Sequence, residues 1–294
     1  MMNLIDISTW QKGLDLSALF ARNPALDGVI VKLTQGTGYV NPEADRWIKW
    51  LTSNGKPFGT YHYLDGSGAK AEAQHYAAQL AKYPGGLPAL DYEDSALSKG
   101  TAYLKECLDE VFRLSGIRPL VYCSLSVTNE QDFTAIAVAE YKLWVAQYAD
   151  MDTVHGFVAD PWQRGDTGAF DGYVMHQYTS NGHLNGYSGR LDFDQFRGSP
   201  EEWAALAAGA APEPEPTPTP AEPMGPEPNL ISEILHGNWG NGPERAANLT
   251  AAGYDADAVQ RKVNELYGIA LTCKKKMIGN EEYLNQIVWI VRAL

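Results

Sequence analysis

Leu87–Asp94, LPALDYED, is the stretch on which the fold turns. A turn at Gly85-Gly86 and a proline lead into a short apolar run that ends in three acids. As a strand it alternates its side chains between two faces, so Asp91 and Glu93 point one way and Tyr92 the other. Two residues of strand rise separate their backbones by roughly 6–7 Å. Glycosidic bond hydrolysis uses paired carboxylates at that sort of separation. A strand end that merely turns acidic as it reaches water would read the same, so the rest of the chain has to decide.

Outward from this stretch the chain alternates strand and helix. Upstream, Leu4–Ser8 (LIDIS), Gly28–Leu33 (GVIVKL) and Pro57–Leu64 (PFGTYHYL) are predicted strands. Downstream come Arg118–Cys123, Lys142–Tyr148, Tyr173–Thr179 and Gly189–Phe193. Asn41-Pro42-Glu43 offers a cap acceptor, a proline for the first helical position and an early acid, which predicts a helix running to about Ser53. Further helices are expected over Ala69–Lys82 and Thr101–Ser115, the second stopped by Gly116. Strands separated by helices over roughly 200 residues predict a parallel α/β protein. Eight strands favour a closed, modified TIM-like barrel over an open sheet, with too little helix late in the chain for a regular ring. Active sites of such barrels lie at the C-terminal ends of the strands, and Asp6, Lys32, Tyr61, Glu93, Tyr122, Gln147 and Gln177 all fall near one.

The barrel is expected to fill residues 1–209, finished by a helix over Pro200–Ala208. Residues 210–228 (AAPEPEPTPTPAEPMGPEP) predict a spacer, held extended by prolines and kept off its neighbours by charge. Residues 229–268 carry the apolar spacing of a three-helix packet. Leu230, Ile231, Ile234 and Leu235 form its first face, Pro243-Glu244 opens a second helix, and Ala258, Val259, Val263 and Leu266 line a third. The tail, 269–294, has a basic run at Lys274–Lys276 and an apolar helix over Tyr283–Leu294 whose text echoes the packet's start, as a truncated second copy would.

Composition narrows the function classes. A net charge of -13 and a pI of about 4.9 argue against a nucleic-acid binder and against adhesion to an anionic membrane. Three cysteines without CxxC spacing predict isolated thiols rather than a disulfide framework. The six histidines form no close metal pattern, so neither metal nor cofactor is expected. No basic-then-apolar leader precedes Leu4-Ile5-Asp6 and no apolar run is long enough to span a membrane. The expectation is a chain made in the cytoplasm whose substrate lies outside, reached only when something else releases it.

In a closed eight-stranded barrel the first and last strands are neighbours. Asp6 and Asp192 then lie side by side, facing Asp91 and Glu93. Crowded like charges and a low-dielectric rim raise a carboxyl's pKa, so one acid keeps a proton for a leaving oxygen while others stay ionised. Glu93, with the longer arm, suits the acid. Parity leaves Asp194 either a fifth site acid or a hydrogen-bonding acid beside the site. Trp10, Tyr39, Tyr61, Tyr63, Tyr122, Trp144 and Tyr148 gather near strand ends, where aromatic faces can wall a sugar groove. Lys32, Gln147 and Gln177 are the candidate polar contacts. His62, opposite Tyr61 and Tyr63, is expected to be structural.

A set of motifs resembles a family. DISTWQ (Asp6–Gln11), VIVKLTQGTGYVNP (Val29–Pro42), GTYHY (Gly59–Tyr63), LDYED (Leu90–Asp94), WVAQY (Trp144–Tyr148), MHQYTS (Met175–Ser180) and LDFDQF (Leu191–Phe196) resemble, in order, a glycoside hydrolase family 25 lysozyme of the phage endolysin kind. The resemblance implies a barrel of eight strands and about five helices. It also implies cleavage of the β-1,4 bond between N-acetylmuramic acid and N-acetylglucosamine with net retention. Glu93 matches the general acid, and Asp6, Asp91 and Asp192 match its acidic partners. One position departs: Asp194 stands where the last motif commonly has Asn. By contrast, a family 18 chitinase would carry DxxDxDxE where this chain has ALDYED. A silent glycan binder would gain little from four clustered acids.

His236–Leu266 resembles a small cell-wall-binding repeat of a pneumococcal phage lysozyme, which implies peptidoglycan as partner. Asn238, Trp239, Arg245 and Asp255 are its candidate contacts. One full copy implies weak avidity unless self-association adds to it.

Overall fold

The computed structural model describes residues 1–209, 228–235 and 238–265. The spacer's 210–227, the tail and Lys274–Lys276 lie outside the described residues. The chain divides into two compact units, Met1–Pro212 and Glu213–Leu294.

Eight strands of the first unit close into a barrel: β1 (Met2–Ile7), β2 (Gly28–Gln35), β4 (Phe58–Tyr63), β5 (Leu87–Asp91), β6 (Leu120–Ser124), β7 (Leu143–Ala146), β9 (Met175–His183) and β10 (Leu191–Phe196). Two short strands, β3 (Tyr39–Val40) and β8 (Val154–His155), pair with the upper parts of β2 and β9. Closure comes from β1, which pairs in parallel with β2 and antiparallel with β10.

That last pairing corrects the expected all-parallel sheet. Strand β10 runs antiparallel to both β9 and β1. Only Leu184–Arg190 separates β9 from β10. A parallel return needs a crossover of about a dozen residues or more, so so short a link can only make a hairpin. Helices α1 (Leu16–Arg22), α2 (Ala44–Ser53), α3 (Ala69–Leu80), α4 (Gly100–Ser115), α5 (Leu125–Glu130), α6 (Thr134–Val138) and α7 (Pro200–Ala208) accompany the strands. Among the described residues these are seven, against the expected five or so. The added ones include α5 and α6, six and five residues long, too short to show a periodic apolar face.

Alternation along each strand builds two layers of core. Ile5, Ile7, Val29, Val31, Leu33, Leu90, Val121, Cys123 and Val145 point out, into the layer shared with the helices. Leu4, Ile30, Tyr61, Ala89, Tyr122 and Trp144 point in, and Trp203 and Ala207 of α7 close the barrel's floor. The proline-led start expected for α2 is displaced. Asn41 lies before the helix, accepts from the Glu43 N–H at 3.0 Å and donates to the Lys32 carbonyl at 2.7 Å, while Glu43 holds the cap position.

In the second unit, α8 (Pro228–Leu235), α9 (Pro243–Ala251) and a helix over 256–265 pack Leu230, Ile231, Ile234, Leu249, Val259 and Val263 into one small core.

Candidate active site

The same alternation that fills the barrel's interior with apolar side chains brings polar ones to its upper rim. Two residues above Leu4 is Asp6; above Ile30, Lys32; above Tyr61, Tyr63; above Ala89, Asp91. These side chains line a cleft of about 290 Å³ with Ser8, Trp10, Tyr61, Glu93, Tyr122, Trp144, Tyr148, Gln177 and Asp192. Strand β5 stops at Asp91, but Glu93 keeps an extended backbone (φ -148°, ψ -177°), so it stays on the cleft side. Asp94 then turns the chain with φ 47°, a left-handed conformation that Asp tolerates better than most residues, and accepts from the Tyr63 hydroxyl at 2.6 Å.

Asp6 and Asp192 are directly opposed across the β1–β10 pair. Their Cα atoms are thus about 4.5–5.5 Å apart. Burial raises Asp6 to about 6, against the lowering effect of the Gln177 amide, which donates to its Oδ2 at 2.6 Å. Burial, reinforced by Asp6 and Glu93, raises Asp192 to about 8. The carboxyl of Asp91 is pushed well up by burial and by Glu93, and its Oδ1 has no hydrogen-bond donor among the described residues. Glu93 is half-buried and raised by burial, then by Asp94 and Asp6. Lys32 is the only basic side chain among the described residues lining the cleft. Its ammonium donates to Gln35 at 2.8 Å, stands 4.3 Å from the Tyr63 ring centre, and is lowered by burial against the pull of Asp91 and Glu93.

Gln177 organises the opposite wall. Its Nε2 donates to Asp6, while its Oε1 accepts from the Tyr122 hydroxyl at 2.9 Å and from Tyr148. Trp144 meets Tyr122 edge-on at 4.6 Å and donates its indole N–H to Asp194 at 2.8 Å, beneath the cleft. Trp10 is 90% exposed at the mouth. It stands on a one-turn helix at Thr9–Gln11 whose capping box is formed by Ser8 and Gln11. Among the described residues no group of three or more His, Cys, Asp or Glu side chains is arranged to hold a metal ion.

Of the fourteen residues expected at the site, twelve line this cleft. One exception is Gln147, which is one residue beyond the end of β7, where alternation no longer governs direction. Its amide instead exchanges two hydrogen bonds with the backbone of Arg164, bracing the following loop. Tyr39 does not reach the cleft either and is 39% exposed on β3. Ser8 was not anticipated, since a capping serine has no distinguishing pattern. His62 is buried on the outer side of β4, between the Thr34 hydroxyl at 2.7 Å and Glu72 at 3.1 Å.

In the small unit, among the described residues, three of the four candidate contacts have internal partners for their side chains. The Arg245 guanidinium bonds Gly240, Asn241 and Gln260. Asp255 accepts from the Ala258 N–H at the start of the third helix. Trp239 donates to Glu233 and meets Tyr254 edge-on at 5.9 Å. Asn238 is exposed.

Comparison with known proteins agrees with this architecture. The family model "Glycosyl hydrolases family 25" matches residues 5–187, and a "CW_7 repeat" model matches 229–267. The chain is 27% identical over 271 residues to the lysozyme of Streptococcus phage Cp-7, covering 89% of this chain and 69% of that one. It is 25% identical over 204 residues to an autolytic lysozyme of Clostridium acetobutylicum, covering 66% and 56%. The fold is similar to that of the lysozyme from Streptomyces coelicolor, with a TM-score of 0.57 at 21% identity over 70% of this chain and 97% of that one. With more than half its length matched by the family model, all of it on the barrel that carries these acids, the chain belongs to glycosyl hydrolases family 25 and is a glycoside hydrolase of the lysozyme class.

Proposed function

We propose that this enzyme is an endolysin muramidase that cleaves the β-1,4 bond between N-acetylmuramic acid and N-acetylglucosamine in peptidoglycan, with Glu93 as general acid and net retention of configuration. The observation that carries it is the position of Glu93. It stands half-buried at the cleft mouth, and burial, then the charges of Asp94 and Asp6, favour its protonated form. A carboxylic acid so placed can give its proton to the leaving glycosidic oxygen as the bond breaks. Asp6, with an amide N–H to hold it, is the acid best suited to stay ionised and oppose the positive charge that develops on the sugar ring. Asp91 offers an oxygen with no donor of its own, the acceptor a substrate acetamido N–H would satisfy. Attack by that acetamido group's oxygen on the anomeric carbon displaces the leaving sugar, and water, giving its proton to the Glu93 carboxylate, then reopens the ring at the same carbon, two inversions that give net retention. Asp192, directly opposed to Asp6 across the β1–β10 pair, completes the acid cluster. Trp10, Tyr61, Tyr63, Tyr122 and Trp144 supply ring faces and edges to the sugar chain, and Lys32 and Gln177 hold the acids in place.

The second unit tethers the enzyme to its insoluble substrate, with residues 210–228 as the spacer. Self-association of the single repeat would add avidity. The protein is carried in the host cytoplasm and acts on the wall after release, as a phage lytic enzyme does.

Purified enzyme is expected to clear suspensions of Gram-positive cell walls and to release new reducing ends at muramic acid. Glu93→Gln should keep its thermal transition and wall sedimentation while losing about 10²–10⁴-fold in rate. Undiminished release by that variant, or release of peptide amines in place of reducing ends, would refute the assignment.

A further inference from the structure

Asp194 has no part in the chemistry above, yet of the acids inside the barrel it is the most deeply buried, at 0% exposure. It sits mid-strand in β10, in register with Leu4 of β1 and Gln177 of β9, two residues below the opposed pair Asp6 and Asp192. The Trp144 indole donates to its Oδ1 at 2.8 Å. Its Oδ2 meets no N–H or hydroxyl donor among the described residues. Diagonally above it on the same face of β1 stands Asp6, bonded to the Gln177 that is in register with Asp194, so the two carboxyls are placed to share a hydrogen bond. An ionised carboxylate only accepts, so two carboxyls can share such a bond only when one of them carries a proton.

The neighbours decide which one. Asp6 already accepts a short bond from the Gln177 amide, which favours its ionised form. Asp194 is sealed from water and faces Asp6 from β1, Asp192 from its own strand, Tyr148 from beyond β7 and Tyr178 from β9. None of these brings positive charge. Burial and the two acids push the Asp194 carboxyl well above the usual carboxylate range.

The geometry points to Asp194 as a positioning residue: a neutral acid that donates from Oδ2 to Asp6 and through that bond holds the Asp6 carboxylate ionised and fixed in direction. The consequence for catalysis rests on the role proposed for Asp6; the protonation of Asp194 does not.

Carboxyl-carbon NMR on the full-length chain labelled at aspartate reads the protonation whether or not the protein is active. One aspartate resonance, lost in Asp194→Asn, is expected to stay at its protonated position from about pH 5 to pH 7. Asp194→Asn keeps an N–H donor opposite Asp6, so the Asp6 midpoint should remain within about 0.3 pH unit of the wild type. Asp194→Leu removes the donor, and the Asp6 midpoint should rise by about one pH unit. The acid limb of kcat/KM on soluble glycan fragments should follow, unmoved in the first variant and raised in the second. An Asp194 resonance at its ionised position near pH 6 overturns the proposal. A fall of the Asp6 midpoint in both variants, as removal of a negative charge would cause, also overturns it, as does no movement in either. If Asp194→Leu does not fold, the wild-type and Asn spectra decide alone. Midpoints that move as expected while the kcat/KM limb stays put would uphold the proton's place and sink the role given to Asp6.

Discussion

At the residue scale the cleft is an excess of acid around a single ammonium among the described residues. Lys32 lowers both Asp91 and Glu93, so without it both carboxyls hold their protons to higher pH. Lys32→Met is therefore expected to move the alkaline limb of kcat upward by about one pH unit, read from pH profiles on soluble fragments. A limb that moves downward, or not at all, would show that Lys32 does not act on these acids. Parity carried the sequence-based placement of Asp6, Lys32, Asp91 and Tyr122, because each lies inside a strand whose other face is plainly apolar, and it placed Tyr61 and Tyr63 opposite His62 on β4. It failed at Gln147, where the strand has ended. The hub at Gln177, with one amide serving Asp6, Tyr122 and Tyr148, had no signal of its own. Such a network depends on three strands meeting, and no single segment records that.

At the scale of elements, the connection from β4 to α3 rests on one carboxylate. Glu72 accepts from the backbone N–H groups of Asp65, Gly66 and Ser67, from Tyr103, and from His62 on the outer face of β4. Glu72→Ala leaves several buried donors unpaired, at a cost of about 3 kcal/mol. For a unit of this size that lowers Tm by roughly 6–12 °C, measurable by calorimetry. A change below about 2 °C would show that water takes over these donors. Strand and helix order was legible from apolar runs and from punctuation such as Gly116, which caps α4 in a left-handed conformation (φ 72°). The direction of β10 was not, because an apolar run looks alike in either sense. Only the length of the preceding link carried that information.

For the whole molecule, proton linkage sets a stability window. Asp6 and Asp192 hold protons in the folded barrel, up to about 6 and about 8, that the unfolded chain releases near its ordinary 3.8. Folded values above unfolded ones give stability that is full below about pH 4 and is lost as pH rises through 6 to 8. At the acid end Arg113 holds Glu110 down to about 2, a contribution present above its ordinary value and lost as pH falls. The barrel's thermal transition is thus expected to peak near pH 5 and to fall by several degrees by pH 8, with Asp192→Asn flattening the fall. A Tm that climbs from pH 5 to pH 8 would contradict this. The division after Pro212 supports a second test. A chain ending there should hydrolyse soluble fragments within about twofold of the full-length rate but sediment less with walls; equal sedimentation would remove the tether proposed for the second unit.

The reversed direction of β10 also fixes where the polypeptide leaves the barrel. Asp192 stands one residue inside the strand's beginning, so β10 starts at the rim and descends. Its end, Phe196, lies in register with Met2, at the bottom of β1. Helix α7 then crosses underneath, and Gly209 comes up against Gly116 and Ile117, on the approach to the lower end of β6. Had the eighth strand run upward like its predecessors, the chain would have emerged beside the acids, and any segment fused to it would have started in the path of the glycan. As folded, both the first strand and the exit helix belong to the closed end, so sequence can be added at either terminus of the barrel without crowding the mouth. An insertion of the same length in the Leu184–Arg190 hairpin has no such freedom.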